Sequence, residues 1–370
     1  MSDMLTRLYL DNYRSFENFE YKLNRKQLIF GSNGTGKSSF VDAVLLIRQI
    51  AVTGSALGEF HLLSQRTRWL TRTAQTFELE ASLDGATYIY KLVLEPHEDP
   101  PRVRIALESL HLSRVPLFEF ENREVRLYSD QQEQVVSYPF DADRSALATI
   151  APRNDNQRLI RFKLWLSSLF CFRINPFAIS GRAESEQLSP KVQMDNLASW
   201  YRHLLQSDQR QNFKLIENLQ TVLDEFKFLD LPASGENVRL MVAEFGSGDS
   251  SARYLVHELS EGQRCLICLY TILHFLLAKG CTVIIDEPDN FLSLREIQPW
   301  LMAASDVVED TPAQMIIISH HPEIIDQWAP SYGTQFFRVR GGPSRVKEFA
   351  GNDSKDILSP SELIARGWLE

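Results

Sequence analysis

The period of apolar positions changes several times along the chain, and each change predicts an element. Leu5–Leu10 alternates as a strand does, and Phe19–Leu23 alternates again after the polar and aromatic turn Asp11-Asn-Tyr-Arg-Ser-Phe16. Gln27-Leu-Ile-Phe30 reads as a short buried strand, and Ser39–Ile47 carries the apolar spacing of a helix. From Thr76 to about Pro139, alternating runs recur at Phe77–Leu83, Tyr88–Leu94, Val103–Leu112, Val125–Tyr128 and Val135–Tyr138. Asp84-Gly85 supplies a hairpin turn, so this stretch predicts an antiparallel meander with one solvated face. Helical spacing returns over 197–226 with a break at Ser207-Asp208, which predicts a short helical hairpin, too brief for a coiled coil. A strand at Val238–Phe245, a Gly/Ser loop at 246–251 and an apolar helix at Cys265–Ala278 come next. Thr282–Ile285 and Met315–Ile318 are continuous aliphatic runs of the kind central parallel strands show. Gln335–Val339 and Arg345–Glu348 read as closing strands, and Ser361–Arg366 as a terminal helix.

The junction between the third strand and the first helix carries the strongest chemistry. Gly31-Ser32-Asn33-Gly34-Thr35-Gly36-Lys37-Ser38 fits the phosphate-loop pattern G-x-x-x-x-G-K-[ST] at every fixed position, with Ser39 opening the helix. Three glycines let the backbone N–H groups converge, and the helix N-terminus adds partial positive charge there. Lys37 is placed for the β- and γ-phosphates and Ser38 for Mg²⁺, which implies a bound nucleoside triphosphate. Tyr13 and Arg14 lie one hairpin upstream, where an aromatic ring and a guanidinium would reach a base and its phosphates.

Three further stretches complete a catalytic set. Leu259-Ser-Glu-Gly-Gln-Arg264 precedes the apolar helix, and Ser260 and Gln263 have capping-box spacing. The same helix start is a second anion site. Asp286-Glu287-Pro288 ends one aliphatic strand, at the strand terminus that faces ligand in open α/β sheets. Asp286 would hold Mg²⁺ and Glu287 would polarise the attacking water. Ser319-His320 ends the other, placing His320 to sense the γ-phosphate or the water.

Composition narrows the setting. The 370 residues are 44% hydrophobic, enough for two domains or for one with large insertions. A net charge of −9 excludes a polycation built to coat nucleic acid, though not a local basic patch. Arg153, Arg158, Arg161, Lys163 and Arg173 lie among Phe162, Trp165 and Phe170; they read as nucleic-acid contacts or as the solvated face of an amphipathic helix. The N-terminus has no apolar core of a signal peptide, and the apolar run at 265–278 is short of the roughly 20 residues of a membrane span. Four cysteines without a second C-x-x-C pair fit buried core thiols in a reducing compartment. The expectation is a soluble cytoplasmic protein without membrane contact.

The order of P-loop, L-S-E-G-Q, I-I-D-E-P and S-H resembles the ABC-type ATPases, in particular the SMC/RecF-like branch. Asn12-Tyr-Arg-Ser-Phe16 before the P-loop resembles that branch too. The resemblance covers residues 1–50 and 255–340. It implies an α/β fold, a P-loop ATPase head with a mixed-sheet core, an inserted antiparallel β lobe and a short helical hairpin lobe. Residues 1–370 then form one head: core 1–75 and 250–350, β insertion 76–145, helical lobe 153–230 and C-terminal helix 351–370. By the same resemblance, two heads close as a homodimer around ATP and Mg²⁺. Lys37, Ser38, Asp286, Glu287 and His320 act on the nucleotide in one head, and Ser260, Gly262 and Gln263 on that of the other. The bridging glutamine of the family has no clear counterpart among Gln157, Gln187 and Gln193. The resemblance implies an ATPase switch in anti-phage defence or DNA repair, engaging double-stranded DNA or an effector protein such as a nuclease. A transporter motor and a non-catalytic ATP sensor are the rival readings.

Overall fold

The computed structural model describes residues 3–97, 102–247, 250–339, 341–349 and 359–365. It divides into two compact units, residues 1–169 with 322–370, and residues 170–321. The first unit opens with β1 (Met4–Asp11), β2 (Phe19–Lys22), β3 (Lys26–Phe30) and α1 (Lys37–Arg48). Six strands follow: β4 (Gln75–Leu83), β5 (Ala86–His97), β6 (Arg102–Leu112), β7 (Val115–Glu121), β8 (Glu124–Tyr128) and β9 (Gln134–Pro139). With β1 and β2 they form an eight-stranded antiparallel sheet of order β2-β1-β4-β5-β6-β7-β8-β9. The sheet therefore begins before residue 76. Leu8 pairs with Leu79 and Leu10 with Phe77, so β1 and β2 extend the meander rather than standing apart from it. Alternate residues of β4 are buried along its whole length, which fixes this register, because a one-residue slip would turn the apolar set to solvent.

α2 (Ala146–Thr149) and α3 (Gln157–Ser167) close this part of the unit. α3 buries Leu159, Phe162, Trp165 and Leu166, and the Phe162 ring stacks 6.0 Å from Tyr88 and 5.9 Å from Tyr90. Its opposite face carries charge, as the amphipathic reading of this segment expects.

The second unit contains β10 (Leu169–Phe172), β11 (Arg182–Ala183), α4 (Leu197–Ser207) and α5 (Gln209–Val222). It continues with β12 (Phe226–Asp230), β13 (Arg239–Leu240), β14 (Val242–Phe245) and β15 (Ala252–Leu255). α6 (Glu261–Phe275), β16 (Thr282–Asp286), α7 (Leu294–Asp310) and β17 (Gln314–Ile318) complete it. The helical hairpin stops at Val222, not Phe226. Glu225 turns the chain at φ 59°, and Phe226 pairs with Phe245 in a strand. β16 and β17 are parallel and buried at every residue, in register from Thr282–Gln314 to Asp286–Ile318. Both strands consequently end at the same level. α6 is buried from Arg264 to Phe275, which encloses Cys265 and Cys268; burial pushes the Cys265 thiol up to about 12, so neither metal nor thiolate chemistry follows from the pair.

The chain returns to the first unit with α8 (Pro322–Tyr332), β18 (Gly333–Arg338), β19 (Ser344–Glu348) and α9 (Pro360–Ala365). β18 lies parallel to β3, with Gln335 opposite Phe30, and pairs with β19 on its other side. Most of the expected 351–370 helix lies outside the described residues. Among the described residues, no helix is long and apolar enough to cross a membrane.

The packing of α6 on α5 carries a pH dependence. His274 is buried and its Nε2 lies 3.1 Å from Asn218 Oδ1. Burial, with Lys214 nearby, pushes its pKa from 6.5 down to about 4. The unfolded chain binds the proton more readily, so stability is lost as pH falls from 6.5 toward 4, by about 3 kcal/mol at the limit. Between pH 7 and 5 the wild type should lose about 2 kcal/mol more than His274→Gln in denaturant unfolding. An equal loss in both proteins would show that the ring is not held neutral.

Candidate functional site

The first unit holds the phosphate loop. Gly31 has φ 140°, and a Cβ there would stand 2.1 Å from the Phe336 carbonyl oxygen of β18. Gly36, at φ 107°, is the N-cap of α1 and provides no side-chain cap, so the first turn directs its N–H groups into the loop. Thr35 Oγ1 donates to Ser32 O at 2.8 Å, closing the loop on itself. Lys37 Nζ donates to Gly31 O at 2.6 Å and Ser32 O at 3.0 Å, so the ammonium is centred over the cradle. Ser32, Asn33 and Gly34 are exposed at its rim, and Ser38 and Ser39 follow on the first turn of α1.

Arg14 is brought to the same helix. Its φ of 50° and its N–H···O=C bond to Gln65 turn it over α1, where the guanidinium pairs with Asp42 and lies 3.4 Å from Ser39 Oγ. Tyr13 is not available to a base: it is 1% exposed, edge-on to Phe77 at 5.2 Å. The alternation of the following sheet claims that ring for the core.

The second unit holds the acids. Asp286 is the last residue of β16, its side chain 7% exposed, and its Oδ2 accepts from Arg173 Nε at 2.7 Å. Glu287 leaves the strand at φ 56° while its N–H still donates to Ile318 O at 2.8 Å. That left-handed residue turns the Glu287 carboxylate toward the end of β17. There Oε1 meets His320 Nδ1 at 3.1 Å, and Oε2 accepts from Asn290 Nδ2 at 2.7 Å. Strained φ values at a functional strand end are where such energy is characteristically stored.

The start of α6, also in this unit, is a closed capping box. Ser260 Oγ accepts from the Gln263 N–H at 3.2 Å, and the Ser260 N–H donates to Gln263 Oε1 at 3.0 Å. Both side-chain oxygens act as acceptors there, so the box leaves the Ser260 hydroxyl and the Gln263 amide N–H groups, with the backbone of the first turn, as donors for an anion. Gly262 is required by close approach: a Cβ would stand 3.1 Å from the Phe291 carbonyl oxygen, in the loop that follows Glu287.

Four of the five cations of the basic segment make contacts within the chain. Arg153 pairs with Asp155 at 2.6 Å, Arg161 with Asp3 and Asp84, and Lys163 donates to the carbonyls of Ala148 and Ile150 at 3.1 and 2.7 Å. Arg173, read from sequence as part of that basic run, is instead the partner of Asp286. Of the candidates for the bridging glutamine, the Gln187 side chain is hydrogen-bonded to Asn196 and that of Gln157 donates to the Arg153 carbonyl, while Gln193 lies next to the segment that holds the Arg173 backbone. Asn290 and Arg173 are the site residues that sequence reasoning missed.

The donors fit Mg²⁺. Ser38 in the first unit and Asp286 in the second each carry a hard oxygen of the kind Mg²⁺ takes, and no group of three or more His, Cys, Asp or Glu side chains that would hold an ion is found among the described residues.

A family profile described as "AAA domain, putative AbiEii toxin, Type IV TA system" matches residues 28–326. The chain belongs to this family. Solved SMC heads share the fold of this AAA-domain chain. A SmcHead bound to the C-winged helix domain of ScpA is 11% identical with TM-score 0.58, over 93% of this chain and 96% of that one. A Smc head with an extended coiled coil, bound to the C-terminal domain of ScpA derived from Pyrococcus furiosus, is 12% identical with TM-score 0.52, over 99% and 98%. At that identity the likeness establishes the SMC-head ATPase fold. No curated protein matches the chain in sequence.

Proposed function

We propose that this AAA-domain protein is an ATP-hydrolysing switch, an ATPase whose heads close as a homodimer around ATP and Mg²⁺. The observation that carries the reading is the Glu287–His320 contact at the paired ends of β16 and β17, in a chain with a complete phosphate loop. Lys37 and the loop N–H groups bind the β- and γ-phosphates. Ser38 and Asp286 are the residues we assign to Mg²⁺, which would supply neutralisation of charge on those phosphates. Glu287 accepts a hydrogen bond from the attacking water and takes its proton as the water oxygen bonds to the γ-phosphorus. The bond from that phosphorus to the ADP oxygen breaks. His320 and Asn290 keep the Glu287 carboxylate aimed. Ser260, Gly262 and Gln263 would meet the γ-phosphate of the second head.

The output we infer is an effector protein encoded by another gene, a nuclease being one candidate, rather than double-stranded DNA. The pairing of Arg153, Arg161, Lys163 and Arg173 within the chain favours a protein partner, because those cations are already engaged. The toxin named in the family's description favours defence against phage over DNA repair, in the cytoplasm. Phosphate release from purified protein, with Lys37→Ala as background and with or without duplex DNA, tests the reading. Turnover at least tenfold above that background and indifferent to DNA is expected. Turnover equal to Lys37→Ala would leave an ATP sensor, and stimulation by DNA would restore nucleic acid as the input.

A further inference from the structure

The carboxylate assigned to Mg²⁺ already has a cation of the chain's own beside it. Arg173 leaves the end of β10, a neighbour of β16, and its Nε lies 2.7 Å from Asp286 Oδ2. Asp286 is nearly buried while the Arg173 side chain is 34% exposed, so the arginine has room to leave and the aspartate does not. A buried carboxylate without a counter-charge is costly, and a guanidinium removes that cost as a divalent ion would. A divalent ion on Asp286 would stand within a few ångströms of the guanidinium, and the two like charges repel, so each weakens the other's hold on the carboxylate. The backbone fixes where Arg173 begins: its N–H donates to Val192 O at 2.8 Å and the Asn175 N–H to Gln193 O at 3.1 Å.

We propose that Arg173 is a positioning residue that competes with Mg²⁺ for Asp286. It holds the carboxylate neutralised and aimed before metal and nucleotide arrive, and its charge would oppose Mg²⁺ there. This inference rests on the ATPase reading above. Its consequence is a metal requirement set by the chain: Mg²⁺ binds more weakly than the carboxylate alone would allow, so the site fills with nucleotide-bound Mg²⁺ rather than with the free ion.

The test uses the full chain with a saturating non-hydrolysable ATP analogue and Mn²⁺ as the spectroscopic substitute for Mg²⁺. Bound Mn²⁺ is counted by electron paramagnetic resonance in wild type, Arg173→Met and Arg173→Lys, with Asp286→Asn as background. Arg173→Met, which removes the charge and keeps the length, should bind Mn²⁺ about fivefold tighter than wild type. Arg173→Lys should stay close to wild type. Equal or weaker binding by Arg173→Met would overturn the proposal and leave Arg173 as a strut for the carboxylate. In wild type, the guanidinium Nε–H resonance of Arg173, assigned by its absence from Arg173→Lys, should move on adding Mg²⁺ with the analogue. A resonance that stays in place would overturn the proposal even if Arg173→Met does not fold. Wild-type Mn²⁺ binding no better than Asp286→Asn would remove the ATPase reading as well. Normal wild-type binding with unshifted Arg173→Met removes only the competition.

Discussion

Glu287→Gln should lower ATP turnover by about a hundred- to a thousandfold while leaving ATP binding intact. The substitution keeps the size of the side chain, and the contacts that aim it survive in part. The amide oxygen still accepts from Asn290, and the amide N–H faces a ring nitrogen of His320. What is lost is the proton acceptor. With hydrolysis stopped and ATP bound, the closed dimer should accumulate. Light scattering with ATP and Mg²⁺ should then report twice the 42.5 kDa of one chain. Turnover within a few-fold of wild type would take the catalytic role from Glu287. A monomer with ATP and Mg²⁺ would count against closure around the nucleotide, whatever the rate.

Local spacing carried much of this site, and long-range pairing did not. The phosphate loop, Asp286-Glu287 and His320 were legible because each sits at the end of a short aliphatic strand. There a fixed sequence separation sets the geometry. The sheet of β1, β2 and β4 to β9 was legible strand by strand but not as one sheet, since pairing across 70 residues leaves no local period. β7 escaped because Pro116 interrupts its apolar run, and at an antiparallel bulge next to His111 that proline is tolerated. α7 escaped for a related reason: Pro299 lies inside it. Arg173 was visible only as one more cation in a basic run. That it points at Asp286, 113 residues later, follows from β10 lying next to β16, which no local pattern states. Tyr13 misled in the opposite sense, its aromatic ring suggesting a base contact where the sheet needed a core residue.

Gly31→Ala should be the most damaging of the single-methyl additions to the phosphate loop. At φ 140° the new Cβ would lie 2.1 Å from the Phe336 carbonyl oxygen, and both atoms belong to backbone that neighbouring strands hold in place. Strain at that φ and the displacement of β18 together should cost about 3–5 kcal/mol. That should lower the melting temperature by about 10 °C. Gly36→Ala, at φ 107°, meets a serine hydroxyl at 2.7 Å and the Phe16 ring at 3.1 Å, of which the hydroxyl can rotate away, so about 2 kcal/mol is expected. Gly34→Ala, at φ 79° in open space, should cost about 1 kcal/mol, the conformational penalty alone. Denaturant unfolding of the three variants checks the order. The consensus pattern treats Gly31 and Gly36 as equivalent fixed glycines, whereas packing separates them. Equal losses at the two positions would mean that the loop is not pressed against β18, and that the cradle takes its shape from the nucleotide rather than from the fold.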